Sequence, residues 1–116
     1  MWTVSNDGLG PASRRFHRYV NRRVLRGDTT TRRPIVANNW EATFFDFDTD
    51  RLLGLIDHAA DLGAEVFLLD DGWFGGRYPR DDDTAGLGDW EIDRRKLPEG
   101  LDPLIDRCRR RGMRFG

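Results

Sequence analysis

Two short stretches combine residue types that suit a polyhydroxylated ligand. The first is Asn38-Asn39-Trp40-Glu41. Side-chain amides donate and accept hydrogen bonds as hydroxyls do, and an indole face covers the C–H side of a pyranose while its N–H takes a polar partner. Composition alone slightly favours a plainer account, in which Trp40 packs under a loop and Asn38 and Asn39 tie the turn. The second stretch is Asp70-Asp71-Gly72-Trp73-Phe74-Gly75-Gly76. One aspartate suffices for a turn, so two directly after an apolar run argue for a purpose beyond turning. Ionised carboxylates each accept several hydrogen bonds, and Gly72, Gly75 and Gly76 permit a sharp turn and a close ligand approach. Asp70 and Asp71 are read as binders rather than as a catalytic pair. A retaining glycosidase holds its two carboxyls about 5–5.5 Å apart across the scissile bond, whereas adjacent residues reach one side of a ligand more easily than they straddle it.

Other constellations carry less. Asp81-Asp82-Asp83, with Asp89, Trp90 and Asp93 beyond, lacks the calcium-loop spacing and reads as a solvated acidic loop, with Gly88-Asp89-Trp90 anchoring it or edging a pocket. No metal site is expected. His17 and His58 have no ligand partner at useful spacing and are expected at the surface. The arginines between Arg14 and Arg33 could meet phosphates, but neither stacking aromatics nor a nucleic-acid module accompanies them, so a solvated helical face is the reading. There is no Gly-x-Ser-x-Gly elbow or recognisable triad.

The elements that must position these residues alternate. Ser13 to Leu25 repeats Phe16, Val20 and Val24 at helical spacing beside Tyr19, with Gly27 as its stop; Met1 to Pro11 reads as irregular. Arg33 to Asn38 reads as a strand and 39–47 as a loop. A helix follows, capped by Asp48 or Thr49, with Leu52, Leu53, Leu55, Ile56, Ala59, Ala60 and Leu62 on its apolar face and Gly63 at its end. Glu65 to Leu69 is a nearly continuous apolar run, as in a strand buried on both faces. A long loop runs from Asp70 to Leu97. Asp102-Pro103 reads as a cap and first helical residue, with Leu101, Leu104, Ile105 and Cys108 on one face, and Met113 to Gly116 begins a third strand. This order implies parallel βαβ units, in which function gathers after the carboxyl ends of strands. Those ends are at Asn38 and Asp70.

The chain has 116 residues, 38% hydrophobic and 34% charged, with a formal net charge of -1. That balance calls for no nucleic-acid or membrane partner, and no stretch reads as a bilayer span or a signal peptide. The one cysteine, Cys108, excludes an internal disulfide framework and fits a reducing compartment, hence a cytoplasmic expectation. A closed (β/α)8 barrel needs about 200 residues at least, so a barrel reading makes this chain part of one.

The motifs, taken in order, resemble glycoside hydrolase family 36 α-galactosidases. Arg33 to Phe47 is similar to that family's first barrel strand and Leu69 to Gly75 to its second strand end. Leu87 to Trp90, Lys96 to Leu101 and Gly112 to Gly116 continue the likeness, and Ser13 to His17 resembles the segment leading into the barrel. The fold implied is α/β, a partial (β/α)8 TIM barrel comprising the first two βα units and the start of strand 3. Residues 1–32 would be a linker and helix, and residues 33–116 the N-terminal part of the catalytic domain. Trp40, Asp70 and Asp71 would line the terminal galactose subsite, the aspartates holding the 4- and 6-hydroxyls. The reaction implied is retaining hydrolysis of terminal α-galactosides such as melibiose and raffinose, by double displacement and without a cofactor. The family's nucleophile and acid/base are aspartates on later strands, so the resemblance gives neither role to a residue here, and the chain alone is expected to be inactive. Full-length members commonly form homo-oligomers. Rival readings are an α-N-acetylgalactosaminidase or an α-galactosyl-transferring enzyme on the same scaffold, a non-catalytic carbohydrate-binding piece, and an arginine-driven nucleic-acid binder.

Overall fold

The computed structural model describes residue 2, residues 4–25 and residues 32–116. The chain divides into two compact units, Met1–Arg33 and Pro34–Gly116. In the first, helix α1 spans Leu9–Tyr19 and runs into a π-helical turn, Val20–Val24. It starts earlier than the periodicity indicates, because Pro11 lies in the first turn, where its missing N–H breaks no helical hydrogen bond. None of the α1 side chains is buried, and Tyr19, Val20 and Val24 are exposed. Gly27, the expected stop, lies outside the described residues.

The second unit is a three-stranded parallel sheet in the order β1-β2-β3, with β1 at Val36–Asn38, β2 at Val66–Leu68 and β3 at Arg114–Phe115. Register pairs Ala37 with Phe67 and Phe67 with Phe115. Alternation along a strand then sends Ala37, Phe67 and Phe115 to one face, where they meet the core. That core is closed by α3 (Thr49–Asp61) and α4 (Asp102–Arg110), which bury Leu52, Ile56, Ala59, Leu104 and Cys108. The other face carries Val36, 50% exposed, and Leu68, 42% exposed.

Helix α3 forms where its pattern indicates. The Asp48 carboxylate accepts a hydrogen bond from the Arg51 amide at 2.8 Å, the cap that polar residues supply at a helix start. In α4 the expected cap is corrected by one residue. The carbonyl of Leu101 accepts from the amides of Leu104 (3.1 Å) and Ile105 (3.0 Å), so Leu101 is the cap and Asp102 is already helical. Stretch 39–47 is not simply a loop: Trp40–Thr43 form a short helix, α2. Phe44 follows with φ 47 and ψ -126, a backbone state that costs a non-glycine residue about 1–3 kcal/mol. The Thr43 carbonyl accepts from the Asp46 amide at 3.0 Å across that turn. The long 70–97 loop is pinned by an antiparallel bridge between Phe74 and Ile92. Among the described residues, no helix is long and apolar enough to cross a membrane.

Candidate functional site

The carboxyl ends of β1 and β2 are laced together by side-chain amides. Asn38 donates from Nδ2 to Asp70 Oδ2 at 2.6 Å and accepts at Oδ1 from the Trp40 amide at 2.7 Å. Asn39, only 1% exposed, accepts at Oδ1 from the Asp70 amide at 2.8 Å and donates to Thr43 Oγ1 at 2.9 Å. These two residues tie the scaffold, as the plainer reading had it. The sequence could not show that the tie crosses to the second strand.

Asp70 and Asp71 sit side by side on that framework. Asp70 Oδ1 accepts from the Asp71 amide at 2.8 Å, and Asp71 Oδ1 accepts from the Gly72 amide at 2.7 Å. Both line one open cleft of about 400 Å³, together with Leu68, Leu69, Trp73, Phe74, Leu87 and Trp90. The rings of Phe74 and Trp90 lie 4.5 Å apart, and Trp73 lies 5.1 Å from Phe74. Trp90 thus edges the cleft. Trp40 does not line it. Its backbone is linked to Asp70 through Asn38, while its indole meets Phe44 and Phe45 edge-on, with centroids 5.3 and 5.0 Å away.

A larger hollow of about 700 Å³ is lined by residues 41–47, Arg51, Asp81 and Lys96. Its cations are already engaged: Arg51 with the carbonyls of Ala42 and Asp46, and Lys96 with the carbonyls of Phe45, Gly72 and Arg80. The cleft beside Asp70 offers a ligand more.

Sequence reasoning missed Arg80 and Lys96. Arg80 is buried, 6% exposed, and grips Asp71 through Nε at 3.0 Å and Nη2 at 2.7 Å. That guanidinium holds the Asp71 carboxyl below the usual carboxylate range against the opposing effect of burial. Nothing in the run Arg77 to Asp83 separates Arg80 from solvated neighbours, since its partner lies nine positions back. The acidic loop also needs correcting. Asp81 is ion-paired to Arg95 at 3.0 Å and Lys96 at 3.3 Å, and Asp93 is buried at 4% exposure against Arg95. Gly75 faces the chain's own backbone rather than a ligand, because a Cβ there would stand 2.5 Å from the Arg80 nitrogen. His17 and His58 are exposed, as expected. Among the described residues, no group of three His, Cys, Asp or Glu side chains is placed to hold a metal ion.

Comparison with known proteins decides the family, since the model of the Melibiase family matches residues 1–116. The chain belongs to the melibiase family. Among melibiase relatives, Alpha-galactosidase 1 of Pediococcus pentosaceus is 47% identical over 117 residues, spanning 100% of this chain and 16% of that protein. A variant of the GH36 α-galactosidase AgaA from Geobacillus stearothermophilus, solved with raffinose, superposes with a TM-score of 0.81 at 45% identity, covering 94% of this chain and 15% of that one. A second AgaA structure, with 1-deoxygalactonojirimycin, gives a TM-score of 0.82 at 45% identity over 97% of this chain and 15% of that one. The resemblance to glycoside hydrolase family 36 α-galactosidases carried by the ordered motifs therefore holds, and this chain spans about a sixth of such a relative (16%).

Proposed function

We propose that this chain is the segment of an α-galactosidase that builds one side of its terminal galactose subsite. The observation carrying the reading is the shared cleft of Asp70 and Asp71 at the carboxyl rim of a parallel sheet. Two adjacent ionised carboxylates there suit the 4- and 6-hydroxyls of one galactose, while Trp40, whose indole packs on Phe44 and Phe45, serves the subsite only through the Asn38 link to Asp70. The substrates would be terminal α-galactosides such as melibiose and raffinose, which the raffinose-bound relative supports.

The fold belongs to the same proposal. Parallel sheets are covered on both faces, yet only one face of β1-β2-β3 meets helices. A (β/α)8 barrel supplies the other covering by closing the sheet on itself, so that Val36 and Leu68 point into its packed interior. In that reading residues 1–32 lead into the barrel and residues 33–116 are its first two βα units with the start of strand 3. Retaining hydrolysis would use nucleophile and acid/base aspartates that the family carries on later strands, and no residue of this chain is given either role. A cytoplasmic, homo-oligomeric parent is part of the proposal. Cys108, the one cysteine of the chain, is free and buried, which fits a reducing compartment.

The test is a pair of variants in the full-length enzyme that carries this chain. Asp70→Ala should lower kcat/KM for a chromogenic α-galactoside by about 10- to 100-fold, the value of one charged hydrogen bond. Asp82→Ala, whose carboxylate accepts from Thr84 in the exposed loop, should change it little. Equal effects would remove the subsite assignment.

A further inference from the structure

Arg80 stands out among the charged groups because the chain invests structure in delivering it. Its side chain is 7% exposed, and arginine is almost never fully buried without a partner. The loop around it is drawn tight at two glycines with positive φ. A Cβ on Gly75 (φ 129) would come within 2.5 Å of the Arg80 nitrogen, and one on Gly86 (φ 75) within 2.6 Å of the Tyr78 carbonyl oxygen and 3.2 Å of the Arg80 nitrogen. The guanidinium is held from two further sides. Nη1 donates to the Ala85 carbonyl at 2.9 Å, and the group lies over the Phe45 ring, 5.5 Å from its centroid. Lys96 fixes the Arg80 carbonyl at 3.1 Å.

Everything left of the fork goes to Asp71. Oδ1 accepts from the Gly72 amide and from Arg80 Nε at 3.0 Å, and Oδ2 accepts from Nη2 at 2.7 Å and from the shared Nε at 3.2 Å. Both donors to Oδ2 belong to one planar fork and approach it from one side, with Nε shared between the two oxygens, so the acceptor direction of Oδ2 turned away from the fork keeps capacity for one hydroxyl. Stability alone is a weak reason for such a pair, because desolvating two charges offsets much of their attraction.

We propose that Arg80 is a positioning residue for galactoside binding, its planar fork fixing the Asp71 carboxylate so that Oδ2 is presented to a sugar hydroxyl. This rests on the subsite reading of Asp71 given above. The bidentate geometry requires a guanidinium, since an ammonium supplies charge without the fork. The charged groups facing Asp71 are Arg80, Lys96 and the adjacent Asp70; the first two favour its ionised form. Without Arg80 the carboxyl would take up a proton at higher pH, and a neutral acid would offer the sugar a poorer acceptor.

The experiment uses the full-length enzyme with four variants, reading KM, the pH profile of kcat/KM on a chromogenic α-galactoside, and Tm. Arg80→Met should raise KM about 10- to 100-fold and move the acid limb up by about one pH unit. Arg80→Lys should restore the acid limb while leaving KM raised, because charge returns without the fork. Arg95→Met, which breaks the Asp93 and Asp81 pairs, should lower Tm and leave KM and the acid limb where they were. Asp71→Asn should raise KM at least as much as Arg80→Met. A folded Arg80→Met enzyme with unchanged KM and acid limb overturns the proposal. If Arg80→Met does not accumulate, an Arg80→Lys enzyme with wild-type KM overturns it equally. An Asp71→Asn enzyme with unchanged KM removes the subsite reading itself, whatever Arg80 does.

Discussion

Asp93 is one of four buried polar side chains among the described residues, with Asn39, Thr43 and Arg80. Its carboxylate accepts from Arg95 Nε at 3.0 Å and from the Arg95 amide at 2.9 Å, and the arginine holds its pKa below the usual carboxylate range against the opposing effect of burial. A carboxyl whose folded pKa is depressed adds stability above its unfolded pKa and loses it as pH falls through the folded value. The protein should therefore lose stability on acidification below about pH 4. Asp93→Asn should be destabilising at pH 7, with the gap to the wild type closing as pH drops toward 2; thermal melts across that range check it, and a gap independent of pH would contradict it. Neighbouring Arg95 is 57% exposed at its side chain, so solvent screens much of the attraction between the two charges.

At the scale of elements, what matters is how the segments after β1 and β2 are held to each other. Lys96 Nζ donates to the carbonyls of Phe45 (2.9 Å), Gly72 (3.1 Å) and Arg80 (3.1 Å), and lies 5.2 Å from the centroid of the Phe47 ring. One ammonium thus spends its three donors on three separate pieces of backbone. Leaving even one such acceptor dry costs about 1–3 kcal/mol, so Lys96→Met should destabilise by at least that much. The loss should be local as well as global. Hydrogen exchange should quicken at the amides of Gly75 and Asp93, which bond to the carbonyls of Glu91 and Trp73. Lower Tm without faster exchange there would mean that Lys96 does not staple these loops. Nothing in the stretch Arg94-Arg95-Lys96 marks the third cation as the staple, because its partners lie 51, 24 and 16 positions away.

Across the second unit, one face of the sheet is packed and the other is bare. Phe67 is 1% exposed on the helix side, whereas Val36 of β1 and Leu68 of β2, on the opposite face, are half open. An open sheet face and outer strands that pair on one side only, among the described residues, are a template for association. The chain prepared alone should bind a hydrophobic dye and self-associate, and on the function proposed above, which puts the acid and nucleophile on later strands, it should not hydrolyse a chromogenic α-galactoside. Monomeric behaviour without dye binding would argue against the barrel reading, and turnover by the pure chain would refute the assignment of catalysis elsewhere.

Periodicity and punctuation were enough to establish the order of the three strands and the two helices between them, a cap at Asp48 or Thr49, the buried stripe Leu52, Ile56, Ala59, and the placement of Asp70 and Asp71 at a strand's carboxyl end. These are local properties, set by side-chain spacing within a few residues. The motifs in their order also carried the family. Tertiary structure alone decided which polar groups are committed and which are free. Asn38 and Asn39 hold Asp70 across 32 and 31 positions, Arg80 goes to Asp71, Lys96 joins three carbonyls, and Trp40 packs against Phe44 and Phe45 instead of lining the aspartates' cleft. The reason is physical: a buried polar group must find a partner wherever the fold brings one, and nothing in its own neighbourhood along the chain says which partner that is.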